Sequence, residues 1–365
     1  MVVEFNRKLI LETGEEYCGY AFGAAADRVF DVIFNTSMVG YQEIISDPSY
    51  AGQGIVMTYP LIGNYGIADD DFESRGATVG ALIVREYNDQ PSNFRFTKTL
   101  GEVLEEYGIP GIYGLDTRKL TRDIRDNGSR RALITGMETS VEEGLKIIAS
   151  TPAADDMVAQ VSCRKRWHSR IANHKYNVVA IDCGIKLSLI RSLNARGCNV
   201  TVVPCSTSAE EILALHPDGI IVSNGPGNPA NAADVAQTIN ALRGKAPMFG
   251  TGLGHQLIAM AYGAKTYKLA CGHHGSNLPV RETATGSMET YVQNHSYAVD
   301  AASIEGTGLT VTYTNVIDHS VEGVECTADQ VFSVQFNPTD AEGPKDRICL
   351  IDKFVTMMKE AKTHA

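Results

Sequence analysis

Among the 365 residues, the segment best placed to do chemistry is a turn, Phe249-Gly250-Thr251-Gly252-Leu253-Gly254-His255-Gln256. An apolar strand runs into it and a helical pattern leaves it. Glycines two residues to either side of a central position give the spacing of a nucleophile elbow. There the chain reverses so tightly that the central side chain projects from the strand end and the following backbone N–H faces an oxyanion. The central residue is Gly252, so the turn has the place for a nucleophile and no nucleophile in it. A dinucleotide-binding turn would read G-x-G-x-x-G and sit early in its domain; this one reads G-x-G-x-G after a late strand, which disfavours that reading. Three further segments are polar at strand ends. In Ser223-Asn224-Gly225-Pro226-Gly227-Asn228-Pro229 the glycines allow close backbone approach to a ligand, although alone it is equally a plain turn. In Gln293-Asn294-His295-Ser296-Tyr297, His295 is either a base or, more commonly, a structural loop histidine. In Phe332-Ser333-Val334-Gln335-Phe336-Asn337-Pro338-Thr339 a strand ends at Asn337, with Gly343 and Pro344 beyond.

These segments need elements to hold them. Asn177–Ile181, Asn199–Val203, Gly219–Val222 and Pro247–Gly250 read as short buried strands. A helix over Lys186–Arg196 with Gly197 as its stop falls between the first two, and Ser208-Ala209-Glu210-Glu211 has capping-box spacing before the next helix. Strands alternating with helices imply a parallel sheet with right-handed crossovers. After residue 285 the strands come closer together: Thr290–Val292, Leu309–Thr314, Val321–Glu325 and Val331–Gln335. A helix over Asp346–Lys362 ends the chain. The first 150 residues are mixed, with strands at Lys8–Glu12, Arg28–Phe34 and Val79–Val84 and a helix over Thr117–Asp126 that stops at Asn127-Gly128. The expected fold is α/β: a β-rich mixed domain over 1–150, a linker over 151–175, and an α/β domain with a mostly parallel central sheet over 176–365. The linker carries a basic run, Arg164 to Arg170, that reads as a partner contact or as a solvated surface.

Composition narrows the function. The net charge of -11 argues against general nucleic-acid binding, which wants a basic stripe. No run of apolar residues reaches membrane-spanning length, and no signal peptide is visible at Met1–Phe5, so a cytoplasmic protein is expected. The cysteines Cys18, Cys163, Cys183, Cys198, Cys205, Cys271, Cys326 and Cys349 are scattered without a C-x-x-C pair, which reads as reduced thiols and no metal site.

Taken together, the four polar segments resemble the class I glutamine amidotransferases, and in particular the small-subunit family of carbamoyl phosphate synthetase. Phe34 to Ile44 (FNTSMVGYQEI), Ser46 to Tyr50 (SDPSY), Tyr59 to Asn64 (YPLIGN) and Gly114 to Arg122 (GLDTRKLTR) are similar to that family's N-terminal domain. The resemblance covers nearly the whole chain. In that family a cysteine attacks the glutamine amide, a histidine activates it and a glutamate orients the histidine. Those positions fall on Gly252, Asn337 and Thr339, so no triad member is intact. Cys183, at the end of a strand, is the nearest residue of the right type for a relocated nucleophile. The resemblance assigns glutamine contacts to Ser49, Gly225, Gly227, Leu253, Gln256, Asn294, Ser296 and Tyr297; the last two replace the family's usual Gly-Phe. The backbone N–H groups of Gly227 and Leu253 would be the oxyanion donors.

The resemblance thus implies a pseudo-glutaminase that partners an ammonia-using large subunit, with ATP and magnesium on that partner and no cofactor on this chain. The pathways implied are pyrimidine and arginine biosynthesis. One alternative is a module that binds glutamine, or a related amino acid, without cleaving it. A second is a conventional glutamine-hydrolysing subunit. A different enzyme using Thr251, His255, His295 and Thr339 ranks last, because their spacing forms no known constellation.

Overall fold

Strands with one apolar face must cover it, and the strands of the N-terminal region do so by closing on themselves. In the computed structural model, which describes residues 4–339 and 350–364, these strands are β1 (Arg7–Leu11), β2 (Glu16–Gly23), β3 (Arg28–Asn35), β4 (Gln53–Met57), β6 (Ala81–Val84), β8 (Pro110–Tyr113) and β9 (Arg130–Gly136). They form a closed barrel in the order β1-β2-β8-β6-β4-β3-β9, and a separate two-stranded sheet pairs β5 (Leu61–Ile62) with β7 (Glu86–Tyr87). Closure comes from β9 pairing antiparallel with both β1 and β3, for example Leu9 opposite Ile134 and Phe30 opposite Ala132. The barrel encloses Leu9, Leu11, Val56, Ile83, Ile112 and Ile134. A second cluster, with Tyr41, Ile45, Leu82 and Leu104, packs helices α1 (Tyr41–Ser46) and α2 (Leu100–Glu106) on its outside. The helix α3 (Thr117–Asn127) begins at Asp116, whose carboxylate accepts from Lys119 N–H, and ends at Gly128 with φ 87°. The helix α4 (Val141–Ser150) is capped by Ser140.

The chain divides into two compact units, Met1–Ala154 with Ala270–Gly275, and Asp155–Leu269 with Ser276–Ala365. In the second unit the segment read as a linker is partly folded. It contains α5 (Met157–Val161), and Trp167–Ser169 is an edge strand, β10. The reason is pairing: β10 lies antiparallel to the next-but-one strand, with His168 opposite Thr201.

The ten-stranded sheet runs β10-β12-β11-β13-β14-β19-β18-β16-β15-β17. Its members are β11 (Tyr176–Asp182), β12 (Cys198–Pro204), β13 (Gly219–Val222), β14 (Met248–Thr251), β15 (Thr266–Glu282), β16 (Met288–Val299), β17 (Thr310–Asn315), β18 (Val321–Cys326) and β19 (Val331–Val334). From β12 to β19 the neighbours are parallel, and β18 then pairs antiparallel with β19.

Both faces of the parallel strands are buried, as their near-continuous apolar runs require. Val179 and Ile181 point into one core with helices α7 (Ala209–Leu213), α8 (Ala233–Leu242) and α9 (Leu253–Ala261); Val178 and Ala180 point into another with α6 (Leu187–Ala195) and α10 (Leu350–His364). The capping box at Ser208 is formed in full with Glu211. No described helix is long and apolar enough to cross a membrane. Gly343, Pro344, Cys349 and the expected start of the last helix at Asp346 lie outside the described residues.

Candidate functional site

Parallel strands end on the same edge of a sheet, so the loops after β11, β13, β14 and β19 collect at one rim. The central loop is the elbow. Gly252 has φ 55° and ψ −116°, a backbone region that costs a residue with a Cβ on the order of 1–3 kcal/mol. The conformation is held from outside: Gly252 N–H donates to the Val334 carbonyl (2.9 Å), and Gly254 N–H donates to the Ser223 carbonyl (3.1 Å). The flanking glycines are steric necessities. A Cβ on Gly254 would overlap the Val222 carbonyl oxygen, and one on Gly250 would lie 2.8 Å from the Gly254 carbonyl oxygen. A Cβ on Gly252 would have more room, 3.1 Å from Asn224 Cβ. The elbow is therefore built by its neighbours and persists with no side chain at its apex.

The β13 loop lies against it. Ser223 Oγ accepts from Cys183 N–H (2.9 Å) and donates to the Asn224 carbonyl (2.8 Å). A Cβ on Gly225 would overlap the Cys183 carbonyl and come 2.9 Å from Leu253 Cδ2, so this glycine permits the contact between the loops. Gly227 adopts φ 86°. After β11, the Asp182 carboxylate ties the chain down: it accepts from Gly184 and Ile185 N–H (both 2.9 Å) and from Cys163 N–H (2.8 Å). Cys183 itself is fully buried, and burial pushes its thiol well above the ordinary cysteine range. A buried thiol that stays protonated is no nucleophile, which removes the relocated-nucleophile reading.

After β19, Asn337 N–H donates to the Val292 carbonyl (2.9 Å). The Asn337 Oδ1 accepts from both Thr339 N–H (3.1 Å) and Thr339 Oγ1 (2.8 Å), and Thr339 Oγ1 lies 3.3 Å from Ser188 Oγ in the first turn of α6. The side chains two residues apart are thus bonded to each other, but neither titrates in the accessible range.

Gln256 and β16 supply the rest. Gln256 Nε2 donates to the Tyr297 carbonyl (2.7 Å) and to Gln335 Oε1 (2.8 Å). His295 bonds through Nδ1 to the Tyr297 carbonyl (2.8 Å) and through Nε2 to Gln293 Oε1 (2.9 Å), with Glu322 Oε1 3.8 Å from Nε2. Gln293 Nε2 and Gln335 Nε2 are buried without a partner among the described residues. His255, in the first turn of α9, is wholly buried with Nδ1 2.9 Å from Ser333 Oγ; burial lowers its pKa to about 3. It is a neutral strut between α9 and β19 and not a base.

The second unit thus brings together Gly225, Leu253 and Gln256 with Asn224, Tyr297 and Gln335 through these contacts. Ser49 belongs to the first unit, where it is buried in a short 3-10 turn and its N–H donates to Asp47 Oδ1 (2.9 Å). Sequence reasoning missed Asp182, Ser223, Ser333 and Gln335 as the residues that brace the rim. Only the position of Asp182 and Ser223 at strand ends signalled them.

Two family models match the sequence of these units. Residues 9–134 match "Carbamoyl-phosphate synthase small chain, CPSase domain", and residues 179–357 match "Glutamine amidotransferase class-I". The carbamoyl phosphate synthase small chain of Fusobacterium nucleatum is 47% identical over 351 residues, covering 96% of this chain and 98% of that one. The chain belongs to the carbamoyl phosphate synthase small chain family. The small chain of Listeria innocua is 46% identical over 363 residues, 99% of each chain. A pyrimidine-specific small chain of Halalkalibacterium halodurans is 46% identical over 360 residues, again 99% of each. As a small chain, then, this protein combines a closed barrel unit with a unit whose elbow is complete in its backbone.

Proposed function

We propose that this small chain no longer hydrolyses glutamine and instead serves a large subunit that uses free ammonia. The observation that carries the reading is Gly252: an apex held at φ 55° and ψ −116° with no atom beyond Cα to attack an amide. Acyl transfer from an amide needs a nucleophile, a base to take its proton, and an acid to protonate the leaving nitrogen. Asn337 supplies none of these, and its Oδ1 is engaged by Thr339. His255 and His295 offer no substitute, since the first is neutral and interior and the second has both ring nitrogens within hydrogen-bond distance of neighbours. The role left to the chain is to dock on the large subunit, stabilise it and close the route by which ammonia would have entered.

The test is reconstitution with the large subunit from the same genome. Carbamoyl phosphate synthesis should run on ammonium and stay at background with glutamine. Glutamine-dependent synthesis by the pair would refute the proposal.

A second reading is favoured by the unpartnered amide nitrogens of Gln293 and Gln335. Gln335 bonds to Gln256 and Gln256 to the Tyr297 carbonyl, and with Gly225, Gly227, Leu253, Asn294 and Ser296 these residues would hold glutamine without cleaving it. Calorimetry with glutamine decides between the two. Absence of heat and of any thermal shift at millimolar glutamine removes the second reading.

A further inference from the structure

The basic run that interrupts an acidic chain is not used by the elbow rim. Within Arg164–Arg170 stand Arg164, Lys165, Arg166 and Arg170, with His168 between them and His174 and Lys175 just beyond, in a chain of net charge -11. The fold places part of this run on a cavity of about 400 Å³, lined by His168, Arg170, His174, Asn177, Asn199 and Thr201 with Ile171 and Val200.

The lining follows from strand register. Along β10, His168 stands opposite Thr201 of β12, and Asn177 of β11 stands opposite Asn199 of β12, so one face carries the polar row. Ile171 N–H donates to Asn199 Oδ1 (3.0 Å), which fixes the chain as it leaves β10. Asn173 then adopts φ 54°, a left-handed turn that asparagine tolerates, and the turn carries His174 onto the same cavity.

No carboxylate lines this space. Asp218, whose Oδ2 accepts from Asn177 N–H, is paired with Lys362 Nζ at 3.2 Å from its Oδ1. Among the described residues the side chains of Arg170 and His174 have no hydrogen-bond or ion-pair partner, while His168 Nδ1 lies 3.0 Å from Thr201 Oγ1. Partial burial and the neighbouring Arg170 and Arg166 push the His168 imidazole down from its ordinary pKa, an environment already crowded with positive charge.

A guanidinium, two imidazoles, a hydroxyl and two amides converging on a small-molecule-sized cavity make a donor set for tetrahedral oxyanions: planar bidentate contact from the arginine and single contacts from the other sides. We propose that this cavity binds a small phosphate-bearing anion. The site is separate from the elbow. Asn177 and Asn199 are the second residues of β11 and β12, at the amino ends of the parallel strands, whereas Gly252 follows the carboxyl end of β14. The seven-residue length of β11 puts roughly 20 Å between the two edges. Ligand binding here is therefore independent of what stands at position 252.

The test uses the full chain and inorganic phosphate at pH 6.5 and constant ionic strength, followed by calorimetry and by NMR of the histidine rings. Saturable binding is expected, with the ring signals of His168 and His174 moving along the same isotherm. Arg170→Gln and His174→Gln, both at exposed positions that leave the fold intact, should each weaken phosphate binding by about tenfold, equivalent to about 1.4 kcal/mol. Succinate, a flexible dianion whose carboxylates offer no tetrahedral oxyanion, should bind far more weakly. Three results would each overturn the proposal: no saturation by tens of millimolar phosphate with unmoved histidine signals, wild-type affinity in both variants, or succinate binding as tightly as phosphate.

Discussion

Gly252 holds the apex of the elbow in a backbone conformation fixed by its neighbours, with no side chain of its own. Its φ of 55° suits glycine, and a Cβ there would sit 3.1 Å from Asn224 Cβ. Gly252→Cys is therefore expected to lower stability by about 1–3 kcal/mol in denaturant unfolding and to release no ammonia from glutamine. Ammonia release by that single variant would reveal a base other than position 337. Gly254→Ala should be more damaging than Gly252→Ala, because its methyl group meets a backbone carbonyl that cannot rotate away. His255 makes a prediction about pH. Its folded pKa of about 3 lies below the unfolded value of about 6.5, so the unfolded chain takes up the proton first. The stability it permits is complete above pH 6.5 and declines as pH falls toward 3, by about 2 kcal/mol at pH 5. His255→Asn should be less stable than wild type at pH 7 yet lose less between pH 7 and pH 5. Equal pH slopes for the two proteins would show that this imidazole is not the acid-sensitive group.

At the scale of elements, the strand-turn-helix that makes the elbow was readable because each part has a local signature: an apolar run, glycines at fixed spacing, then a helical pattern. The same holds for the capping box at Ser208, where Ser208→Ala should cost about 1 kcal/mol in thermal or chemical unfolding. The stop at Gly128 is equally local. The neighbour of β14 was not readable, because β19 lies some eighty residues further on and nothing in either strand names its partner. That pairing places Asn337 and Thr339 on the rim with the elbow. Restoring hydrolysis should accordingly require three positions on two elements at once. Gly252→Cys with Asn337→His and Thr339→Glu is expected to be the smallest set to give ammonia release in a glutaminase assay; any pair of these substitutions should remain at background.

At the scale of the whole molecule, the two units protect their backbones differently from their edges. The barrel has no free edge, while the sheet of the second unit leaves β10 on its margin. Hydrogen exchange should be slowest in Val178–Ile181, Ile220–Val222 and Phe249–Gly250, which are flanked by paired strands and by helices on both faces. It should be fastest among the strands in Trp167–Ser169. Equal protection of β10 would mean that something covers that edge in solution. Family membership belongs to this scale too, since it rests on identity spread over 96% of the chain and not on the residues at the rim.

By itself the sequence determined the alternation of strands and helices and the family resemblance, which implies Gly252, Asn337 and Thr339 at the triad positions, because each is written in local order or in residue type. Tertiary structure alone decided the barrel closure, with Leu9 opposite Ile134, and the strand made from part of the presumed linker. It also decided that Cys183 and His255 are interior and inert, and that His168 and Arg170 of the basic run line a cavity. These depend on contacts between residues distant in the chain and on burial, which set pKa and pairing but leave no mark on the residues themselves.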